Sequence, residues 1–216
     1  MSQSFDFNKI DDFDDHINKS IPNYDLLIDS IKSMSEYFYV QSASIYDLGC
    51  STGKLLKSLP FDCRKVGYDY SNLLPKTNGD LNLEFHNVDL NKTSLLNLSN
   101  ACIVYCIFTM QFLDPLKRKA FLSKIYDGLI EGGCLFIAEK IYQENGKAQE
   151  IFSFSHYDYK LKQFNAEEIL KKERDLRFNM KPLDDYGLTH LLKGTGFKVV
   201  APFWQMFNFK GYIAIR

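Results

Sequence analysis

The chain has 216 residues, 45% of them hydrophobic and 25% charged, with a formal net charge of −1. That length suits one α/β domain with an added segment better than two full domains, and 13 Tyr and 18 Phe make it unusually aromatic. The near-neutral charge gives no electrostatic reason to expect direct nucleic-acid binding, and no apolar run is long enough to span a bilayer.

The five cysteines, Cys50, Cys63, Cys102, Cys106 and Cys134, form no CxxC pair and lie mostly in apolar runs. They read as reduced thiols rather than metal ligands. The first residues, MSQSFDFNKIDDFDDH, are acidic where a signal peptide is basic and then apolar, so the expectation is a cytoplasmic protein of one domain, residues 1–216.

Within residues 1–22, Phe5, Phe7, Ile10 and Phe13 alternate with Asp6, Asp11, Asp12, Asp14 and Asp15, which predicts an amphipathic arm or lid. Leu27, Ile31, Met34 and Phe38 recur at helical spacing after Pro22, predicting a helix over 23–38 and a helical arm over 1–40. A strand at 43–48 runs into the turn GCSTGK and a short helix. Further strands are expected at 64–68, 83–88 and 101–108, the last a continuous apolar run suited to a parallel sheet covered on both faces. Residues 117–129 carry Phe121, Ile125 and Leu129 at helical spacing, and a strand at 134–140 follows Gly132 and Gly133. Residues 141–190 read as a helical lid insertion, with Asn165 and Glu168 spaced as a capping box. Strand character returns from Phe197 to Arg216 as an antiparallel hairpin on a mostly parallel sheet.

The turn carries the chemistry. Only three residues separate Gly49 from Gly53, and Leu55 follows Lys54, so the nucleotide phosphate loop, with four residues between its glycines and Ser or Thr after its lysine, does not fit. Ser51 occupies the second glycine position of a dinucleotide fingerprint, where it would crowd a pyrophosphate. What remains is a site for S-adenosylmethionine. Asp47 precedes the turn near the donor's amino-acid moiety, Gly49, Cys50, Ser51 and Gly53 form it, Asp69 ends the next strand facing a ribose diol, and Asp89 is placed for an adenine amino group.

The runs YDLGCSTGK, VYCIFTMQFLDP, KIYDGLIEGG, AEK, HYDYK and FWQMFNF resemble the carboxy-S-adenosylmethionine synthase family, from SIPNY almost to Arg216. The resemblance implies a Rossmann-like class I methyltransferase fold with a seven-stranded sheet, a terminal hairpin and often a dimer. It also implies a pocket including Tyr24, Gly49, Asp69, Tyr70, Asp89 and Leu90. Two positions depart from the family. Ile107 stands in the pocket where the family carries asparagine. Glu173 aligns with an arginine that grips the extra carboxylate of carboxy-S-adenosylmethionine, with Arg174 one position away should the register slip. A carboxylate at 173 would repel that group.

Three functions follow as alternatives. One is methyl transfer from S-adenosylmethionine, leaving S-adenosylhomocysteine, to a small-molecule acceptor, with His156, Tyr157, Asp158 and Tyr159 as candidates for proton transfer or acceptor positioning. Another is synthesis of carboxy-S-adenosylmethionine from prephenate for tRNA wobble-uridine modification, with Arg174 or a neighbouring lysine on the carboxylate. The third is cofactor binding without catalysis. His16, His86 and His190 show no evident partner and are expected to be structural or solvated.

Overall fold

The computed structural model describes residues 12–75 and 82–216, so Phe5, Phe7, Ile10, Asp6 and Asp11 of the expected arm lie outside the described residues. Among the described residues the sheet runs β3-β2-β1-β4-β5-β8-β7. Its strands are β1 (Ser44–Leu48), β2 (Lys65–Asp69), β3 (Leu83–Asn87), β4 (Ala101–Ile107), β5 (Leu129–Tyr142), β7 (Val199–Met206) and β8 (Phe209–Ile215), with a two-residue β6 (Leu183–Asp184) beside the end of β5. Strands β1 to β5 pair parallel, whereas β8 lies antiparallel to both β5 and β7. This is the mostly parallel α/β sheet with a terminal hairpin that the sequence predicts.

Alternation along the central strands builds two cores. Tyr46, Leu48, Val104, Cys106, Leu135 and Ile137 point to one face. Ile45, Ile103, Tyr105, Cys134, Phe136 and Ala138 point to the other. All five residues of β1 are buried, Ser44 and Asp47 included, so the strand is covered on both faces. The helices α4 (Arg118–Gly128) and α7 (Asp185–Thr195) cover the first face through Phe121, Ile125, Leu188 and Leu192. The second is covered by α2 (Tyr24–Ser35) through Leu27 and Ile31, and by the five-residue α3 (Lys54–Ser58).

Three elements differ from the sequence reading. The helix expected over 23–38 ends at Ser35, where Tyr37, Phe38 and Tyr39 turn back onto Met34 and Ser35. Strand β5 starts at Leu129 rather than Cys134, passing through Gly132 at φ 77 while Arg216 N–H donates to Gly133 O. Residues 185–195 form a helix of the sheet's own cover, packed on α4, so the insertion above the sheet is α5 (Gly146–Lys160) and α6 (Ala166–Asn179). The capping box of α6 forms: the Asn165 side chain accepts from Glu168 N–H, and the Glu168 carboxylate accepts from Asn165 N–H, both at 2.9 Å. Helix α1 (Phe13–Ser20) is capped by Asp12, which accepts from Asp15 N–H at 3.0 Å. No helix among the described residues is long and apolar enough to cross a membrane.

Candidate functional site

The carboxyl ends of β1, β2 and β4 open into a cavity of about 580 Å³, floored by the glycine turn and roofed by α1, α2, α5 and α6. In an open parallel sheet this is where ligands bind. Tyr24, Asp47, Gly49, Cys50, Ser51, Asp69, Tyr70, Asp89, Leu90 and Ile107 all line it. Gly53 caps α3 at φ 68 just outside the lining, between Thr52 and Lys54.

Gly49 holds φ 90, and a β-carbon there would overlap the Thr109 side chain, so the turn and the loop after β4 close on each other only without one. The N–H groups of Gly49 and Cys50 donate to Tyr68 O at 2.7 and 3.2 Å. Asp69 then clamps the turn: Oδ2 accepts from Ser51 N–H at 2.8 Å and Oδ1 from Ser71 N–H at 2.7 Å. An ionised carboxylate has about four lone-pair sites, so Asp69 keeps acceptors for a ribose diol. Asp89 Oδ1 accepts from the Asn91 backbone and side-chain amides at 3.0 and 3.1 Å.

Asp47 is buried, and burial, then the nearby charge of Asp69, pushes its carboxyl up to about 8. Such a group favours a cationic neighbour. Burial also raises the Cys50 thiol, so it stays protonated. The donor fits these residues on a structural observation as well: among the described residues the buried Ser51 hydroxyl has no hydrogen-bond partner, an orphaned polar group in the turn that floors the cavity.

The FTMQFL loop after β4 forms the next wall. Phe108, at φ 54, donates from its N–H to Ala138 O at 2.6 Å. Met110 N–H donates to the buried Glu139 Oε1 at 2.9 Å, and Gln111 Oε1 accepts from Lys140 N–H at 2.8 Å. The buried Arg118 Nη2 donates to Gln111 O, Leu113 O and Lys181 O. These bonds fix a wall whose cavity face is Ile107, Phe108 and Phe112.

The roof is polar where it meets α6. Ile169, Lys172, Glu173 and Leu176 recur at helical spacing along its inner face, while Arg174 falls off that stripe and is exposed. Glu173 thus takes the inward position and Arg174 does not. Glu173 Oε1 lies 3.1 Å from Lys160 Nζ and Oε2 lies 3.5 Å from Lys140 Nζ. Burial works to raise this carboxyl, but the two lysines hold it at about 2.

Of the four residues of HYDYK considered for chemistry, only His156 lines the cavity. It is buried, bonded through Nε2 to Ser20 O at 2.8 Å, and held neutral at about 4 by burial and then by Lys160. Asp158 is exposed, Tyr157 packs edge-on against Phe154, and Tyr159 OH donates to Asn18 O at 3.2 Å. His86 stacks on Tyr68 and His190 on Tyr186, away from the cavity. His16 does have a partner: its ring meets Lys172 Nζ, and both approach Ser20 Oγ. Lys140, Lys160, Lys172, Ser20 and the Asp14–Thr52 hydrogen bond at 3.1 Å complete the chamber. Beyond a lysine neighbouring Arg174, the sequence offered no signal for these, because they converge from the arm, the glycine turn, β5 and the lid.

No protein-family model matches the chain. A carboxy-S-adenosyl-L-methionine synthase of Shewanella baltica is 33% identical over 217 residues, covering 94% of this chain and 88% of that protein. One from Staphylococcus epidermidis is 29% identical over 214 residues, covering 95% and 92%. Among solved structures, an S-adenosylmethionine-dependent methyltransferase from Archaeoglobus fulgidus superposes with a TM-score of 0.60 at 14% identity, covering 89% of this chain and 94% of its own. Human N-acetylserotonin methyltransferase gives 0.55 at 14% identity, covering 91% and 60%. The structural likenesses establish the class I methyltransferase fold. With the sequence likeness over nearly the whole chain, they show an S-adenosylmethionine-dependent transferase that belongs to the carboxy-S-adenosyl-L-methionine synthase family.

Proposed function

We propose that the protein is a methyltransferase that uses ordinary S-adenosylmethionine and acts on a small molecule held in the chamber beneath α1, α5 and α6. Tyr24, Asp47, Gly49, Cys50, Ser51, Asp69, Tyr70, Asp89, Leu90 and Ile107 would hold the donor. Asp47 would meet the amino-acid end, Asp69 the ribose and Asp89 the adenine. The sulfonium makes the methyl carbon electrophilic when bound, so the chain's work is to align an acceptor atom, keep water out and remove a proton where one must leave.

One observation carries the choice of donor. Glu173 stands in the chamber wall where a carboxylated donor calls for arginine, and it engages both Lys140 and Lys160. A second carboxylate there would meet a like charge and compete for lysines already bound. Arg174 is exposed on the outer side of the same helix, and Ile107 offers no polar group where asparagine would stand.

Carboxy-S-adenosylmethionine synthesis is the second reading, favoured by family membership and by the cationic lysines of the lid. Native mass spectrometry separates the two. The protein as purified should carry S-adenosylmethionine or S-adenosylhomocysteine, and incubation with S-adenosylmethionine and prephenate should give no heavier cofactor. A bound species heavier by one carboxyl group would overturn the proposal.

A further inference from the structure

The chamber holds a second polar centre besides the Glu173 ion pairs, built from α1 and α6. Lys172 Nζ approaches His16 Nε2, donates to Ser20 Oγ at 2.9 Å, and faces the same cavity as Asp47 and Ser51. Helix α1 connects this centre to the donor floor, because Asp14, on the other flank of its cavity-facing side, accepts from Thr52 Oγ1 at 3.1 Å. Asp14 and His16 are separated by about 3 Å of helix rise. The remaining walls are apolar and rich in rings, with Phe13, Tyr24, Phe108, Phe112 and Phe209 contributed by four different segments.

Resting on the methyltransferase reading, we propose that the chamber takes a small aromatic hydroxyl compound and that Lys172 is the base that receives its hydroxyl proton. Aromatic walls bind a flat ring by burial and edge-to-face contact, whereas a charged aliphatic acceptor would leave them wet. A neutral hydroxyl is a weak nucleophile until its proton leaves, and that proton needs an acceptor beside it.

Lys172 is suited to this task by its surroundings. Burial first, then the charges of Lys160 and Lys140 against the opposing pull of Glu173, bring its ammonium down to about 7. From α1 it faces His16, itself held neutral at about 4 by burial and by Lys172, with Asp15 and Lys19 further round that helix. The other chamber bases are less apt. His156 is held at about 4 by burial and Lys160, and Glu173 at about 2 by two lysines, so both are weaker bases.

The step balances without a co-reactant. The hydroxyl proton passes to Lys172 Nζ, whose ammonium donates to Ser20 Oγ and to the His16 lone pair. The aryl oxide oxygen attacks the methyl carbon, forming the O–C bond as the C–S bond breaks and its electron pair returns to sulfur. The products are the methyl ether, S-adenosylhomocysteine and one proton on Lys172, which passes to solvent as the chamber reopens.

4-Nitrophenol tests this without knowledge of the natural acceptor, because its aryl oxide is coloured. The probe is titrated into the protein, with and without S-adenosylhomocysteine, at a pH equal to the probe's own pKa, where half of the free probe is ionised and about half of Lys172 is free base. The expected result is bound probe in the ionised form, with no net proton released to buffers of differing ionisation enthalpy. In Lys172→Met the probe should bind about tenfold more weakly and stay neutral, and Lys172→Gln serves as a second variant should the first fail to fold. Absence of binding, a neutral bound probe, an ionised probe whose proton appears in the buffer, or ionisation unchanged in the variants would each overturn the proposal. S-adenosylhomocysteine titrated into the same samples reports the donor site separately. Its failure to bind would count against the methyltransferase reading, whereas normal binding with a neutral probe would count only against Lys172.

Discussion

Glu173 and Lys160 form a 3.1 Å ion pair inside the chamber roof, with Lys140 on the other carboxylate oxygen. Lys160 is only 3% exposed and Glu173 16%, so water screens the pair weakly. Removing the carboxylate leaves buried ammonium groups without compensation. Glu173→Gln is predicted to lower stability by about 3 kcal/mol at neutral pH, measured by urea unfolding. A loss of less than about 0.5 kcal/mol would place the pair among solvent-screened surface bridges.

Asp69 links the glycine turn to β2 and offers its remaining lone pairs to the donor. Replacing it by Ala removes a charge-assisted acceptor of about 1.5 to 3 kcal/mol, so S-adenosylhomocysteine should bind about ten- to hundredfold more weakly by calorimetry. Unchanged affinity would remove Asp69 from the cofactor site.

Asp47 makes stability depend on pH. Its carboxyl is raised from 3.8 to about 8 on folding, so the folded chain holds a proton that the unfolded chain has released. The associated stability is complete below about pH 4 and is lost as pH rises through about 8. Wild type should therefore lose a few kcal/mol relative to Asp47→Asn between about pH 5 and pH 9 in the ligand-free protein. Referring wild type to this variant cancels the similar slope from Glu139, also raised to about 8 by burial, and the opposite slope from Lys172. A cationic donor beside Asp47 favours its ionised form, so saturating S-adenosylmethionine should narrow the gap.

Gly49→Ala tests the closure of the turn against the loop after β4. The new β-carbon would overlap Thr109 at a backbone angle that alanine rarely adopts. A destabilisation of about 2 to 4 kcal/mol is expected, with part recovered in the double variant Gly49→Ala/Thr109→Ser. Equal losses in the single and double variants would assign the whole cost to the backbone angle.

The sheet was legible because its central strands carry their signal locally. Ala101 to Phe108 reads as a doubly covered strand from composition, and the acidic residues ending β1 and β2 fall at adjacent strand ends once the order is known. The helix α7 was not separated from the lid, because its apolar face, Leu188 and Leu192, meets α4 rather than a sequence neighbour. Register on α6 was also open in the sequence, where Glu173 and Arg174 are adjacent and only the inner stripe from Ile169 to Leu176 chooses between them. The pairing of His16 with Lys172 joins segments 156 positions apart, so neither residue announces it alone.

The identity of the donor is the central claim, and calorimetric comparison of S-adenosylmethionine with carboxy-S-adenosylmethionine on the same protein tests it most directly. With Glu173 in the chamber wall, S-adenosylmethionine should bind at least about tenfold more tightly, the equivalent of about 1.4 kcal/mol. Equal or tighter binding of the carboxylated donor would contradict the account and return the protein to carboxy-S-adenosylmethionine synthesis.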